Sequence, residues 1–201
     1  MFEDKVIGFS KTETQIEFIT WKDSSKKPLQ RISLDREGKF FVAVGINPSK
    51  ADGTRLDNTN VNLINILSED LWRDYKGYYL TNFSPIMKTD GFKNNEINEM
   101  DVSFMVSILN EAFSNKLRVV LFYGRNSKTK YSKAFTKDFC CILEKLSTSD
   151  NLFITYDKNN NFAHGRAIKG VMKYNDSYRD QIGIPPTTSC YTDDGTVQGG
   201  N

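Results

Sequence analysis

Apolar and polar residues alternate along the first part of the chain, which is typical of half-buried β-strands. The clearest case is residues 15–21, Gln-Ile-Glu-Phe-Ile-Thr-Trp, and a lysine-rich polar stretch over residues 22–27 follows it. This pattern predicts a β-hairpin or two short antiparallel strands. We expect residues 1–38 to form an N-terminal β extension packed on a core that begins at Lys39.

From Lys39 onward, continuous apolar runs alternate with segments of helical spacing. The runs predict four strands, at residues 40–44, 77–81, 117–122 and 151–156. The segments between them predict three helices, over about residues 60–72, 95–113 and 132–146. The order β-α-β-α-β-α-β predicts an α/β fold with three layers, α/β/α, around a mainly parallel, four-stranded central sheet.

Each predicted helix carries one apolar stripe that we expect to face the sheet. The stripes are Val61, Ile64, Leu67 and Leu71; then Ile97, Met100, Phe104, Ile108 and Phe113; then Phe135, Phe139, Ile142 and Leu146. The core is expected to span residues 39–173. Residues 174–201 have weak periodicity and are expected to form a partly irregular tail.

The 201 residues, 38% hydrophobic and 26% charged, suit one domain. No apolar stretch approaches the roughly 20 residues that cross a bilayer, and the start lacks a secretory signal, so we expect a cytoplasmic protein with no membrane partner. The three cysteines lack the spacing of zinc ligands, so neither a metal nor another cofactor is expected.

Ligands of open parallel sheets bind beyond the carboxyl ends of the strands. Each predicted strand is followed there by amides, hydroxyls or an imidazole together with Gly or Pro. We call these segments the strand exits. They are residues 45–49 (Gly-Ile-Asn-Pro-Ser), 82–85 (Asn-Phe-Ser-Pro), 123–127 (Tyr-Gly-Arg-Asn-Ser) and 156–166. The last exit contains the chain's single histidine, His164. Such residues are also common in ordinary loops. Four exits on one side favour a ligand cleft.

The formal charge of +2 does not by itself indicate a nucleic-acid partner, so the placement of the cations matters. They follow the exits and predict a basic rim: Lys50, Arg55, Lys88, Lys93, Arg125, Lys128, Lys130, Arg166, Lys169 and Lys173. A polyanion such as DNA, duplex or single-stranded, would suit this rim, and Phe83 and Tyr123 could stack on bases. Contacts to phosphate are expected from Ser49, Lys50, Arg125, Lys128, Arg166 and Lys169. A solvated lysine-rich surface is the alternative.

Together the four exits resemble the uracil-DNA glycosylase superfamily, especially its mismatch-specific and thymine-DNA glycosylase branch. That branch has the motif Gly-Ile-Asn-Pro-Gly after a core strand, and residues 45–49 differ from it at the last position. Asn82 resembles the family's base-recognition asparagine, and Tyr123-Gly124 resembles its aromatic-Gly pair. His164-Gly165 stands where the family has His-Pro.

The chain also resembles an uncharacterised bacterial and phage family with the pattern Asn-Pro-Ser-x-Ala followed by Asp-x-Thr. Residues 47–51 and 57–59 match this pattern closely. The second resemblance implies no established activity. The two resemblances together cover about residues 40–170.

The glycosylase resemblance implies a mechanism of base extrusion and hydrolysis of the N-glycosidic bond. Asn47 would hold the attacking water, Asn82 would read the base edge, and His164 would donate to the departing base anion. Phe83 or Tyr123 would stack on the base. Because an amide cannot act as a general base, catalysis would depend on positioning or would recruit Asp52 or Asp57.

Three functions remain open at this point. The first is a DNA-acting glycosylase-type protein that recognises or excises a base, with a modified base rather than uracil as one option. The second is a non-catalytic module of phage or mobile-element origin that binds nucleic acid, a nucleotide or a protein through the same cleft. The third is hydrolysis or transfer on a free nucleotide or nucleoside, for which substrate binding would depend weakly on salt.

Overall fold

The computed structural model describes residues 3–8, 14–20, 29–48, 58–86, 92–164 and 167–184, the first two ranges as backbone alone. Eight strands lie in these ranges: β1 Glu3–Gly8, β2 Thr14–Thr20, β3 Leu29–Leu34, β4 Lys39–Gly45, β5 Tyr75–Asn82, β6 Val119–Leu121, β7 Leu152–Tyr156 and β8 Gly170–Lys173. The four strands predicted for the core correspond to β4, β5, β6 and β7.

All eight strands join one mixed sheet in the order β1-β2-β3-β5-β4-β6-β7-β8. The four neighbours β5, β4, β6 and β7 run parallel, and the other pairs are antiparallel. The fold is α/β as predicted, but the expectation of a four-stranded sheet is wrong. The β1–β3 meander continues the sheet beyond β5, and β8 adds to β7, so both outer parallel strands gain a hydrogen-bonded neighbour.

The helices of the described residues are α1 Asn58–Ile66, α2 Glu99–Ser114, α3 Ser127–Lys130, α4 Lys137–Ser147 and α5 Arg179–Ile182. Single 3₁₀ turns lie at Asp70–Trp72, Asn94–Glu96, Ser132–Ala134 and Asp176–Tyr178. Within this part of the chain, none of the helices has the length and apolar character that crossing a membrane requires.

Capping explains why two helices begin later than the apolar pattern predicts. The side chain of Asn98 accepts a hydrogen bond from the Asp101 backbone N–H at 2.9 Å, and α2 starts at the next residue. Thr136 accepts in the same way from the Phe139 N–H at 3.3 Å, immediately before α4. Such caps satisfy backbone donors that the first turn leaves unpaired.

The predicted stripe of α2 has the wrong phase. Met100 and Phe113 are 73% and 39% exposed. The face that packs on the sheet consists instead of Val102, Met105, Val106, Leu109 and Ala112. The predicted stripe of α1 is also out of phase. Val61 is 40% exposed, whereas Leu63 and Ile66, which lie outside the predicted stripe, are buried. Both helices carry two apolar stripes, and only packing selects between them.

Strand β4 is buried on both faces. Val42 and Val44 belong to one apolar cluster, to which α2 and α4 contribute. Phe41 and Ala43 belong to a second cluster, to which α1 contributes. All four side chains are at most 2% exposed, as the continuous apolar run predicts.

The chain after β8 also packs against the core as far as the structure describes it. Tyr174, Tyr178, Ile182 and Ile184 are buried in the same cluster as α2 and α4. Gly183 ends α5 with a φ of +82°, which favours glycine. Residues 185–201, the rest of the predicted tail, lie outside the described residues.

Candidate functional site

A cavity of about 450 Å³ opens at the carboxyl end of β4 and β6. Residues from the segments after β4, β5, β6 and β7 line it. The lining consists of Ile46, Asn47, Phe92, Tyr123, Gly124, Arg125, Asn126, Ser127, Lys130, Tyr131, Asp157, Phe162, Ala163, His164 and Ala167. The cavity lies where open parallel sheets bind their ligands, as the strand order predicts.

The loop after β4 brings Asn47 to the cavity. The backbone carbonyls of Gly45 and Ile46 accept hydrogen bonds from the N–H groups of Phe83 and Ser84, so the exits of β4 and β5 run side by side. Asn47 is half-buried, and its Nδ2 donates to the Pro48 carbonyl at 3.1 Å. This bond closes the amide against its own loop and orients the side chain.

The loops after β6 and β7 are joined at Gly124. Its φ is +82°, and a Cβ added there would lie 2.9 Å from the Cβ of His164, so glycine is required. Tyr123 and His164 form an isolated β-bridge, and the Arg125 N–H donates to the Phe162 carbonyl at 3.2 Å. These contacts hold His164 at the cavity although it lies 40 residues further along the chain than Gly124.

The imidazole of His164 is oriented by Phe122. Its Nδ1 lies 2.9 Å from the Phe122 carbonyl oxygen, and its ring stacks on the Phe122 ring with centroids 6.2 Å apart. The residue as a whole is exposed, but burial of the ring lowers the pKa of His164 below its ordinary value. The hydrogen bond to Phe122 opposes this shift, and the positive charge of Lys130 adds to it.

Asn82 lies one strand away from the cavity lining. It pairs in register with Gly45 and is 5% exposed. A Cβ added to Gly45 would be 2.6 Å from Asn82 Oδ1 and 2.5 Å from Phe122 Cζ, so the three residues are in close contact. The Nδ2 of Asn82 has no hydrogen-bond partner among the described residues. The structure thus brings Asn47 and His164 together, with Asn82 behind Gly45.

Phe83 lies in an aromatic cluster and does not line the cavity. It is fully buried, with the rings of Tyr123, Phe135 and Phe139 at centroid distances of 4.9, 5.6 and 5.7 Å. Tyr123 lines the cavity but is 2% exposed, and its hydroxyl donates to the Ile182 carbonyl at 2.8 Å. Burial raises the pKa of Tyr123 well above its ordinary value, so the phenol stays neutral.

Two aromatic residues outside the predicted exits also line the cavity, Phe92 and Tyr131, together with Phe162 from the fourth exit. The rings of Phe92 and Tyr131 are 5.7 Å apart, and Lys130 Nζ lies 5.2 Å from the Tyr131 ring centroid. Neither Phe92 nor Tyr131 directly follows a predicted strand, so a rule based on strand exits could not find them.

Arg125 and Lys130 are the exposed cations of the described lining. The described lining contains one carboxylate, that of Asp157, which directly follows β7 and could have been found from that position. Its Oδ1 accepts from the backbone N–H groups of Asn161 and Asn159 at 2.9 and 2.8 Å. These bonds, that of Asn161 first, lower the pKa of Asp157. Asp157 therefore stays ionised and stabilises its own turn.

The other predicted contacts do not reach this cavity or lie outside the described residues. Lys128 and Lys169 are exposed but do not line it. The predicted residues outside the described ranges are Ser49, Lys50, Asp52, Arg55, Asp57, Lys88 and Arg166. Among the residues that are described, no group of three or more His, Cys, Asp or Glu side chains is arranged to hold a metal ion.

Comparison with known proteins gives one family. A family profile described as "Protein of unknown function (DUF1643)" matches residues 28–165, which include β3 to β7 and the cavity loops up to His164. Searches of curated proteins and of solved structures find no significant match. Because the profile covers more than half of the 201 residues, the chain belongs to the DUF1643 family.

Proposed function

We propose that the protein is a DNA-acting protein of the glycosylase type, which takes one base into the cavity and recognises it or excises it by hydrolysis of the N-glycosidic bond. The observation that carries this proposal is that Asn47 and His164, from the first and last strand exits, line one cavity. Its volume of about 450 Å³ lies in the range of small-molecule sites.

The chemistry of the lining supports a base as the occupant. Aromatic side chains, including Phe92 and Tyr131, form an apolar wall, while Asn47 and His164 supply hydrogen-bonding groups. Arg125 and Lys130 add positive charge at the same opening, which favours a phosphate-bearing ligand. This combination of ring faces and cations is common in proteins that bind single-stranded or extruded nucleotides.

The proposal includes a DNA partner, a cytoplasmic location and a three-layer α/β/α arrangement. The two apolar clusters support the three layers, because α1 contributes to one and α2 and α4 contribute to the other. An extruded base would then enter from the carboxyl edge of the parallel strands.

The test is an excision assay on duplex and single-stranded oligonucleotides that carry uracil, mismatched thymine or a hypermodified base. We expect abasic sites on at least one substrate, and we expect Asn47→Ala to reduce their formation. Asn115→Ala is the matched control, since Asn115 caps the far end of α2 and does not line the cavity. Absence of abasic sites on every substrate would contradict excision.

A second candidate is a non-catalytic module that binds nucleic acid, a nucleotide or a protein through the same cavity. The engagement of Asp157 in its own turn favours it, because a carboxylate with a lowered pKa is a poor general base. In this case Asn82→Ala and His164→Ala should abolish binding, while Asp52→Ala and Asp57→Ala should leave it unchanged. Loss of activity in either Asp variant would count against this candidate.

A further inference from the structure

The hydrogen bond between His164 and Phe122 determines which ring nitrogen carries the proton. A carbonyl oxygen accepts hydrogen bonds and cannot donate, so the Nδ1 atom at 2.9 Å must be the donor. In the neutral imidazole the other nitrogen, Nε2, then has no proton and presents a lone pair. A group of this kind accepts a proton and cannot give one.

We infer that His164 is the general base of the reaction and takes a proton from the attacking water through Nε2. This inference rests on the proposed excision and changes the role of His164 within it, because the glycosylase resemblance implies a histidine that donates to the departing base. It also supplies a base in a lining whose one described carboxylate, Asp157, is held in a turn.

The step balances in atoms and electrons. The water oxygen forms a bond to C1′ of the sugar, and the bond from C1′ to the base nitrogen breaks, with its electron pair leaving on the base. One water proton moves to Nε2 and converts His164 into the imidazolium. That proton then returns to the base or to solvent, so no oxidant, reductant or metal is needed.

The surroundings of the ring support the neutral form. Among the described residues, the charged groups that line the cavity with His164 are Arg125, Lys130 and Asp157, and the titratable phenols are Tyr123 and Tyr131. Burial and the charge of Lys130 both lower the pKa of His164, so the free base dominates at neutral pH. Activity should therefore be lost as the pH falls through a pKa below the ordinary value of 6.5 and stay constant above it. A histidine that gives up a proton as the imidazolium has the opposite slope.

The tautomer can be measured without a substrate, because His164 is the chain's single histidine. Long-range ¹H–¹⁵N correlation spectra of the full chain labelled with ¹⁵N-histidine separate a protonated ring nitrogen from an unprotonated one. We expect a protonated Nδ1 and an unprotonated Nε2 at pH 7.5, and a midpoint below 6.5 on titration. A protonated Nε2 would overturn the inference whatever the activity.

Two variants of His164 distinguish, by their reaction rates, a general base from a hydrogen-bond donor to the departing base. The amide of His164→Gln reaches the position of Nε2 and can donate a hydrogen bond there, but it cannot take a proton. His164→Asn places an amide near Nδ1 and can keep the bond to Phe122. We expect both variants to lose about 10²- to 10⁴-fold in rate, together with the acidic limb of the pH profile.

The outcomes distinguish the inference from the function on which it rests. If His164→Gln keeps the wild-type rate of base excision, His164 is a donor, the inference fails and the proposed function stands. If no oligonucleotide yields abasic sites, the proposed function fails and the catalytic step fails with it, while the spectra still report the tautomer. Loss of activity in both variants with folding intact supports the inference.

Discussion

The two ends of the parallel strands both combine a cation with aromatic rings, yet they use the combination differently. At the amino end, the Arg118 guanidinium lies 5.0 Å from the ring centroids of Trp72, Tyr75 and Phe153. Its Nη1 donates to the Leu71 carbonyl at 2.7 Å. At the carboxyl end, Arg125 is exposed and lines the cavity.

This difference shows that the contacts of an arginine, and not its residue type, decide whether it stabilises the fold or is available to bind a ligand. The rings around Arg118 engage its charge, so we expect that region to contribute to stability. In the described part of the chain, no hydrogen bond or ion pair engages the Arg125 guanidinium, and its charge acts only at longer range, where it helps to lower the pKa of Asp157. The guanidinium can therefore still contact a ligand. Substitutions at the two ends should therefore separate effects on folding from effects on binding.

The largest effect is expected from Trp72→Ala at the amino end. Trp72 is fully buried between the rings of Phe41 and Phe153, at 4.9 and 5.1 Å. Removal of a buried indole leaves a cavity and should lower the free energy of unfolding by about 3–5 kcal/mol. Urea denaturation followed by circular dichroism measures this loss.

The neighbouring Leu71 offers a matched control. It lies in the same 3₁₀ turn but is 49% exposed, so Leu71→Ala should cost less than about 1 kcal/mol. If Trp72→Ala costs no more than Leu71→Ala, the amino end is not the stability centre that the ring contacts indicate.

A smaller effect is expected from Arg118→Met, which removes the charge and keeps an apolar stem against the rings. Loss of the cation–π contacts and of the bond to Leu71 should lower the free energy of unfolding by about 1–2 kcal/mol. The control is Arg73→Met, because Arg73 and its partner Asp70 are 77% and 91% exposed and such pairs contribute less than about 1 kcal/mol. Equal losses in both variants would contradict a special role for Arg118.

Much of the fold could be predicted from the sequence, because the central strands are buried on both faces and read as continuous apolar runs. The number of strands in the sheet could not be predicted, because β8 has only four residues and pairs only with β7. The facing stripe of α2 was also not predictable. Met100 and Val106 both fit a helical period, and only the packed structure shows which side meets the sheet.

The candidate site was predictable in part for a similar reason. Asn47, Arg125 and His164 directly follow or lie near strand ends, and strand order alone brings such residues to one edge. Phe83 also follows a strand but points into the core, because strand alternation continues past Asn82. Tyr131 and Phe92 reach the cavity through folded loops, which carry no simple period.

The smallest effect on stability and the clearest effect on binding are expected from Arg125→Ala. The Arg125 side chain is exposed and makes no hydrogen bond or ion pair with the described residues, so its loss should change the free energy of unfolding by no more than about 0.5 kcal/mol. If Arg125 contacts one phosphate, its loss should reduce the slope of log K against log salt by about 1. Fluorescence anisotropy with a labelled oligonucleotide at several salt concentrations measures the slope.

Lys145→Ala provides the control for this last comparison, because Lys145 is an exposed cation near the end of α4 and does not line the cavity. The two variants change the net charge equally, so a general electrostatic attraction predicts equal changes in slope. A cavity that binds phosphate predicts a change for Arg125→Ala alone. An unchanged slope in Arg125→Ala would mean that Arg125 does not contact nucleic acid, although its guanidinium is exposed and that of Arg118 is not available.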